Sequence, residues 1–267
     1  MAHDDAHHAP AAGSLTPEAA EATLDALLAG RRVAPCVWDG QPAFAKRLFR
    51  RRPWEGWLLG AFAPLLRRLL APGLPFTPVR RTALHVFEVQ RLRELHAAGA
   101  AVPRVLAVAR SAFVMEPAGR PLPACGRDGA APRADLLLAA AEDLAQFHRA
   151  GHWHGGAQIR NVAWNGTGFV RFDFDRAFDR HFPLPMLQAL DVLLFLSSLA
   201  DIDAPGLLEA AATACCAGED GPVLGVLARL RPTVQRLGHA GWMRALAAKE
   251  ARRCERIAAA LGPALAP

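Results

Sequence analysis

The chain of 267 residues contains no uncharged apolar run of the ~18 residues that suggest a membrane-spanning helix, although 52% of it is apolar. A helical bilayer span is excluded, and the class is soluble globular. The start, Met-Ala-His-Asp-Asp-Ala-His-His-Ala-Pro, lacks the basic and apolar parts of a signal sequence, so a cytoplasmic location is expected. Cysteine is sparse. Cys36, Cys125, Cys215, Cys216 and Cys254 are odd in number and without C-x-x-C spacing, which argues against a disulfide framework or a zinc site and predicts reduced, mostly buried thiols. Tyrosine is absent; with the richness in Ala, Arg and Leu this reads as codon bias and carries no function. What the chain has instead is positive charge. A formal charge of +6 and a pI near 9.7 favour anionic partners such as nucleotides, phosphorylated glycans, acidic lipid surfaces or nucleic acid, without choosing among them.

Residues 152–177 carry the chemistry. His154 opens a tight loop, Asn161 follows seven residues on, Asn165-Gly166-Thr167-Gly168 can turn a hairpin, and Phe169 to Phe172 leads as a strand into Asp173-Phe174-Asp175. In the kinase catalytic loop H-x-D-x-x-x-x-N, the Asn and the later Asp of Asp-Phe-Gly hold the metal ions on the ATP phosphates. Asn161 and Asp173 fit those two places. Gly156 stands where the acidic base belongs.

Upstream, residues 1–15 read as a flexible tail in which His3, His7 and His8 are solvated rather than metal-bound. Pro17 to Ala29 reads as a short helix ended by Gly30. Residues 31–49 predict a hairpin: Arg32 to Trp38, a turn at Asp39-Gly40, then Pro42 to Phe49, with Phe44, Lys46 and Leu48 on one face. Taken alone, Lys46 is an edge-strand lysine; ahead of residues 152–177 it falls where a kinase places the cation on the α and β phosphates. No G-x-G-x-x-G loop precedes it.

The Arg50-Arg51-Arg52-Pro53-Trp54 cluster leads into a helix over Glu55 to Ala71, which Pro64 is expected to kink or shift. This segment is either a membrane-surface element or a basic rim beside a core helix. Residues 82–98 predict a second helix with Leu84, Phe87, Arg91, Leu92 and Leu95 on its buried side and Glu88 either exposed or facing the strand lysine. Strands over 101–108 and 111–116 follow, then Pro117 to Leu122 as a hinge, with Met115 and Glu116 beside it. A linker over 121–132 leads to a helix from Ala134 to Ala150, whose His148 reads as packed or capping. Helices are expected over 186–199, with Asp191 in an apolar surround, and over 204–216, 221–230, 232–237 and 242–261. No internal repeat is evident.

Lys46, Glu88, Met115-Glu116, His154 to Asn161, Asp173-Phe174 and Asp191, in that order, resemble the protein-kinase-like superfamily. The run Leu-Ala-Gln-Phe-His-Arg-Ala-Gly-His-Trp-His-Gly resembles the small bacterial branch of lipopolysaccharide core kinases, which phosphorylate Kdo or heptose sugars. The resemblance spans residues 30–200. It implies an α+β, two-lobed protein-kinase-like fold, with a small β-sheet-plus-helix N-lobe (16–117) and a mainly helical C-lobe (118–267). It further implies that Asn161 and Asp173 bind Mg²⁺, that Lys46 holds ATP phosphates and pairs with Glu88, and that Met115, Glu116 or their neighbours meet adenine.

Phosphoryl transfer rests mainly on positioning and charge neutralisation, with general-base help adding ~10² to 10⁴ in rate. Loss of the base at Gly156 therefore slows such an enzyme rather than abolishing it. Asp175, His152 and His154 are the candidate substitutes. The function expected is transfer of the ATP γ-phosphate, catalysed through Lys46 and Asp173, to an anionic envelope glycan or lipid-linked sugar. Peripheral contact with the inner membrane through residues 50–70 accompanies that reading. The alternative is a pseudokinase-type nucleotide-binding or scaffolding module. Nucleic acid is not expected, since no aromatic-basic strand motif is present.

Overall fold

The apolar stripe of one short helix and the alternation of two strands build the first layer of this computed structural model, which describes residues 17–48, 53–78, 86–125 and 133–266. The expected tail, the Arg50-Arg51-Arg52 cluster, residues 82–85 of the expected second helix and most of the expected linker lie outside the described residues. Helix α1 (Pro17–Leu28) sets Leu24, Leu27 and Leu28 against a hairpin of β1 (Val33–Trp38) and β2 (Gln41–Arg47). Asp39 and Gly40 turn the hairpin with φ of 50° and 75°, the two positive values a two-residue type I′ turn requires. Strands β3 (Val105–Val108) and β4 (Ala112–Met115), both shorter than expected, complete an antiparallel sheet of order β1-β2-β4-β3.

Side chains alternate across this sheet. Ala34, Cys36, Trp38, Ala43, Ala45 and Val114 pack with α1, while Phe44, Phe113 and Met115 join the cluster to which α3 (Phe87–Ala97) brings Val89, Leu92 and Leu95. Leu48 joins that second cluster, as the shared face of Phe44, Lys46 and Leu48 predicts. Phe147 and Phe174, from distant parts of the sequence, also belong to it.

The rest is chiefly helical. Helices α4 (Ala134–Arg149), α5 (Leu184–Leu199), α6 (Leu207–Ala217), α7 (Gly221–His239) and α9 (Ala248–Ala264) close around Leu137, Leu144, Phe195, Leu196, Val226 and Leu261. A small sheet of β5 (Arg120–Pro121), β6 (Val162–Trp164) and β7 (Phe169–Arg171) borders this core. Its turn is fixed by Asn165 Oδ1, which accepts the N–H of Thr167 at 3.0 Å and of Gly168 at 2.9 Å.

Proline stands inside two of the helices expected to respond to it. Helix α2 (Pro53–Leu70) starts at Pro53, where the missing N–H has no intrahelical partner to lose, and runs on through Pro64. Likewise α7 passes through Pro232 as one helix where two were expected, since packing of Val226 and Leu227 in the helical core outweighs one lost backbone bond. The expected helix over 242–261 is instead two, α8 (Gly241–Leu246) and α9, parted at Ala247, whose φ of −146° and ψ of 56° lie outside the helical range. All five cysteines are free thiols, with Cys36, Cys215 and Cys216 buried. Among the described residues no helix is long and apolar enough to cross a membrane.

Candidate functional site

Strand β2 carries Lys46 into the interior, where only 3% of it is exposed. A buried ammonium needs partners, and it has two: Nζ donates to Glu88 Oε1 at 2.6 Å and to Asp173 Oδ1 at 2.5 Å. The sheet, helix α3 and the segment after β7 therefore meet at one charge. Glu88, whose alternative was an exposed helical position, is buried. Burial works against the charge on Lys46, but the carboxylates of Glu88 and Asp173 outweigh it and raise its pKa. Burial also works against ionised Asp173; the attraction of Lys46 and then Arg32 prevails and lowers its pKa. In Glu88 burial prevails over Lys46 and holds the carboxyl above its ordinary value. Asp173 has φ of 68°, a left-handed conformation that Asp tolerates better than most residues and that marks functional turns.

The loop before β6 is held by its own backbone. Asp191 on α5, wholly buried, accepts the N–H of His154 at 2.5 Å and of Gly155 at 2.7 Å. Gln188 donates to the carbonyls of His148 at 2.8 Å and His152 at 3.0 Å, and Ser198 Oγ accepts the N–H of Ile159 at 3.1 Å. Asp191, expected in an apolar surround, is thus buried and spends its carboxylate on the loop backbone. Gly155 has φ of 81°, and a Cβ there would lie 2.7 Å from the Trp153 ring, so the position requires glycine. His154 sits flat against Phe174, with ring centroids 4.3 Å apart.

Both His154 ring nitrogens are used. Nε2 donates to Phe172 O at 2.9 Å, and Nδ1 accepts the Gly156 N–H at 3.1 Å. Burial lowers its pKa to about 4. The expectation of His154 as a substitute for the missing base is therefore corrected: it is a neutral structural ring. The His152 ring lies tilted against Phe147, centroids 5.1 Å apart, and has its pKa lowered by burial and then by Arg91. Asn161 is buried, and its Nδ2 donates to Gly156 O at 2.8 Å, which leaves Oδ1 as the atom for a cation. Phe172, next to Asp173, donates its N–H to Asn161 O at 3.1 Å. The two expected metal ligands are thereby tied into one backbone frame.

A cleft of about 330 Å³ opens over Lys46 and Asp173, lined also by Arg32, Val33, Phe44, Met115, Glu116, Ala118, Gly119, Pro121 and Phe172. Its walls are apolar and its floor charged, the pattern of a small-molecule site. Met115 and Glu116 lie on the wall. The Glu116 carboxylate is committed to Arg104 at 2.7 Å, and its N–H donates to Arg104 O at 3.0 Å. On the floor Lys46 meets Glu88 and Asp173, and at the mouth Arg32 meets Asp173 and Asp175, the latter also paired with Arg176 at 3.6 Å.

Among the described residues no group of three or more His, Cys, Asp or Glu side chains could hold a metal alone. One carboxylate and one amide oxygen instead suit a hard divalent ion that keeps its waters and shares its coordination with phosphates.

Sequence reasoning missed Arg32, whose contacts span more than 140 residues of chain. For Lys46 a further signal was available: it is the sole lysine before Lys249, so placing one on an apolar strand is no surface habit. No protein-family model matches the chain, and no curated protein matches it significantly.

Proposed function

We propose that the chain is a kinase-like, two-lobed nucleotide-binding protein that transfers the ATP γ-phosphate to a hydroxyl of an envelope glycan or lipid-linked sugar. The observation that carries this reading is Lys46, buried on a strand and bound to both Glu88 and Asp173 at the floor of an apolar cleft. An ammonium has three donors; two are taken, and the third is left for a phosphate. Because Lys46 is already shared between Glu88 and Asp173, a triphosphate needs a divalent cation to settle there, and Asp173 and Asn161 Oδ1 are the groups to hold Mg²⁺. That ion would neutralise charge on the phosphates. Purine contacts fall to Glu116 O and the Ala118 N–H, because Pro117 carries no donor.

A second reading, nucleotide binding without efficient catalysis, is favoured by Gly156 and by the commitment of both His154 nitrogens. Asp175 remains as a candidate base. Thermal shift with ATP and Mg²⁺, followed by γ-phosphate release and transfer, separates the two: stabilisation with turnover supports the enzyme, and stabilisation alone supports the module. If Lys46→Ala and Asp173→Ala leave ATP affinity unchanged, the nucleotide site is wrong for both.

The acceptor class is supported by helix α2. Phe62, Leu65 and Leu69 are each more than half exposed, and residues 60–70 carry no acid; Arg68 is exposed, while Arg67 donates to His181 O at 2.6 Å. An apolar stripe beside an exposed arginine fits an anionic bilayer surface. Sedimentation with vesicles containing anionic lipid should deplete the protein from solution, and Phe62→Glu with Leu69→Glu should prevent it. Equal sedimentation with neutral vesicles would count against recognition of anionic lipid, and self-association in place of vesicle binding would count against a membrane.

A further inference from the structure

Arg32 reaches the cleft from a segment with no motif. The turn out of α1 passes through Ala29 and Gly30, with φ of 43° and 79°, and Arg31 N–H donates to Leu28 O at 2.7 Å. Arg32 O then accepts the Arg47 N–H at 2.9 Å, next to the register pair Val33 and Lys46. Its backbone is therefore fixed beside the buried lysine. Its side chain is not buried: 52% of it is exposed, and it lines the cleft mouth. Nη2 lies 3.4 Å from Asp175 Oδ2 and 3.9 Å from Asp173 Oδ1. Lys46 thus holds Asp173 from within, and Arg32 approaches the same carboxylate from the solvent side.

We propose that Arg32 is a phosphate-binding residue that closes the cleft over the terminal phosphates of a nucleoside triphosphate, in the place where a glycine-rich loop is missing. This rests on the nucleotide reading of the cleft. A guanidinium offers a planar fork that matches two phosphate oxygens, and it remains charged at any working pH. A half-exposed ion pair at the distance seen here is weak and exchangeable. When phosphate enters, Arg32 moves its hydrogen bonds from Asp175 to the phosphate oxygens. Asp173 is then left to Lys46 and the cation. The short turn from α1 keeps the side chain at the mouth, so little of the chain has to be ordered on binding.

The test is an affinity series of adenosine, AMP, ADP and ATP, each with Mg²⁺, titrated calorimetrically into the wild-type chain, Arg32→Ala and Arg32→Lys. The expected result is that Arg32→Ala weakens ATP about tenfold or more, in line with loss of a charge-assisted hydrogen bond, while adenosine is unaffected. Arg32→Lys should recover part of the loss, as a cation without the fork. An equal loss for adenosine and ATP would mean a merely structural role and overturn the proposal, as would an unchanged series. In either case the cleft stands as a nucleotide site. Failure of the wild-type chain to bind any member of the series would overturn that reading along with it.

Discussion

Two neighbouring glycines differ in what they allow. Gly155 has no room for a side chain, whereas a Cβ at Gly156 would meet Asn161 Nδ2 at 3.5 Å and His154 Nδ1 at 3.6 Å, ordinary contact distances. Gly156→Asp is therefore expected to fold. If a missing base limits the rate, it should raise γ-phosphate transfer by about 10² to 10⁴, measured as product formed per enzyme; an unchanged rate would show that another step limits. Lys46 allows a separation of structure from binding. Lys46→Met strands buried Glu88, and breaking a buried pair costs about 3–5 kcal/mol, read in urea unfolding. Adding Glu88→Leu removes the stranded charge and should restore most of that loss. Neither variant should regain affinity for ATP with Mg²⁺. The strand and helix that carry Lys46 and Glu88 were legible from periodicity, and the pairing of the two residues only from their order ahead of residues 152–177. Arg32 was not, since it lies at a strand entry, where neither period applies.

The ends of α4 and α6 and the middle of α5 form a clamp behind the loop. His148, at the end of α4, is buried between Glu219, 2.5 Å from Nδ1 and just past α6, and Asp191 on α5, 3.5 Å from Nε2. Burial disfavours the imidazolium, but the two carboxylates outweigh it and raise its pKa. Its contribution to stability is therefore full below the unfolded value of about 6.5 and is lost as pH rises through the folded value. His154 on the adjoining loop has the opposite sign. Its folded pKa of about 4 means that the unfolded chain binds the extra proton first, so stability falls as pH drops from about 6.5 to about 4, by roughly 3 kcal/mol. Urea midpoints between pH 4.5 and 8.5 check both: Glu219→Gln should flatten the alkaline limb and leave the acid limb in place. The helices themselves were readable from apolar spacing. The clamp was not, because it joins residues 71 positions apart, His148 and Glu219, whose local patterns say nothing of each other.

At the scale of the whole molecule, the cleft is bounded by the sheet on one side and by Phe172 and Asp173, just past β7, on the other, and Phe174 packs among residues of α3, β4 and α4. Ligand in such a cleft holds both sides together. At a hundredfold excess over its Kd, ATP with Mg²⁺ should add about 2.7 kcal/mol and raise Tm by about 5–10 °C, followed by scanning fluorimetry; a shift caused by Mg²⁺ alone would point away from nucleotide. The α+β class and the order of elements could be read from the chain because they follow from local alternation and spacing. The proline passages and the break at Ala247 could not, since packing decides them. The room at Gly156 also has a meaning in the genetic code. Any glycine codon becomes an aspartate or glutamate codon by a single guanine-to-adenine change at its second base. In a population selected for phosphoryl transfer, an acidic side chain at that position is therefore one transition mutation away, with no intermediate genotype to cross.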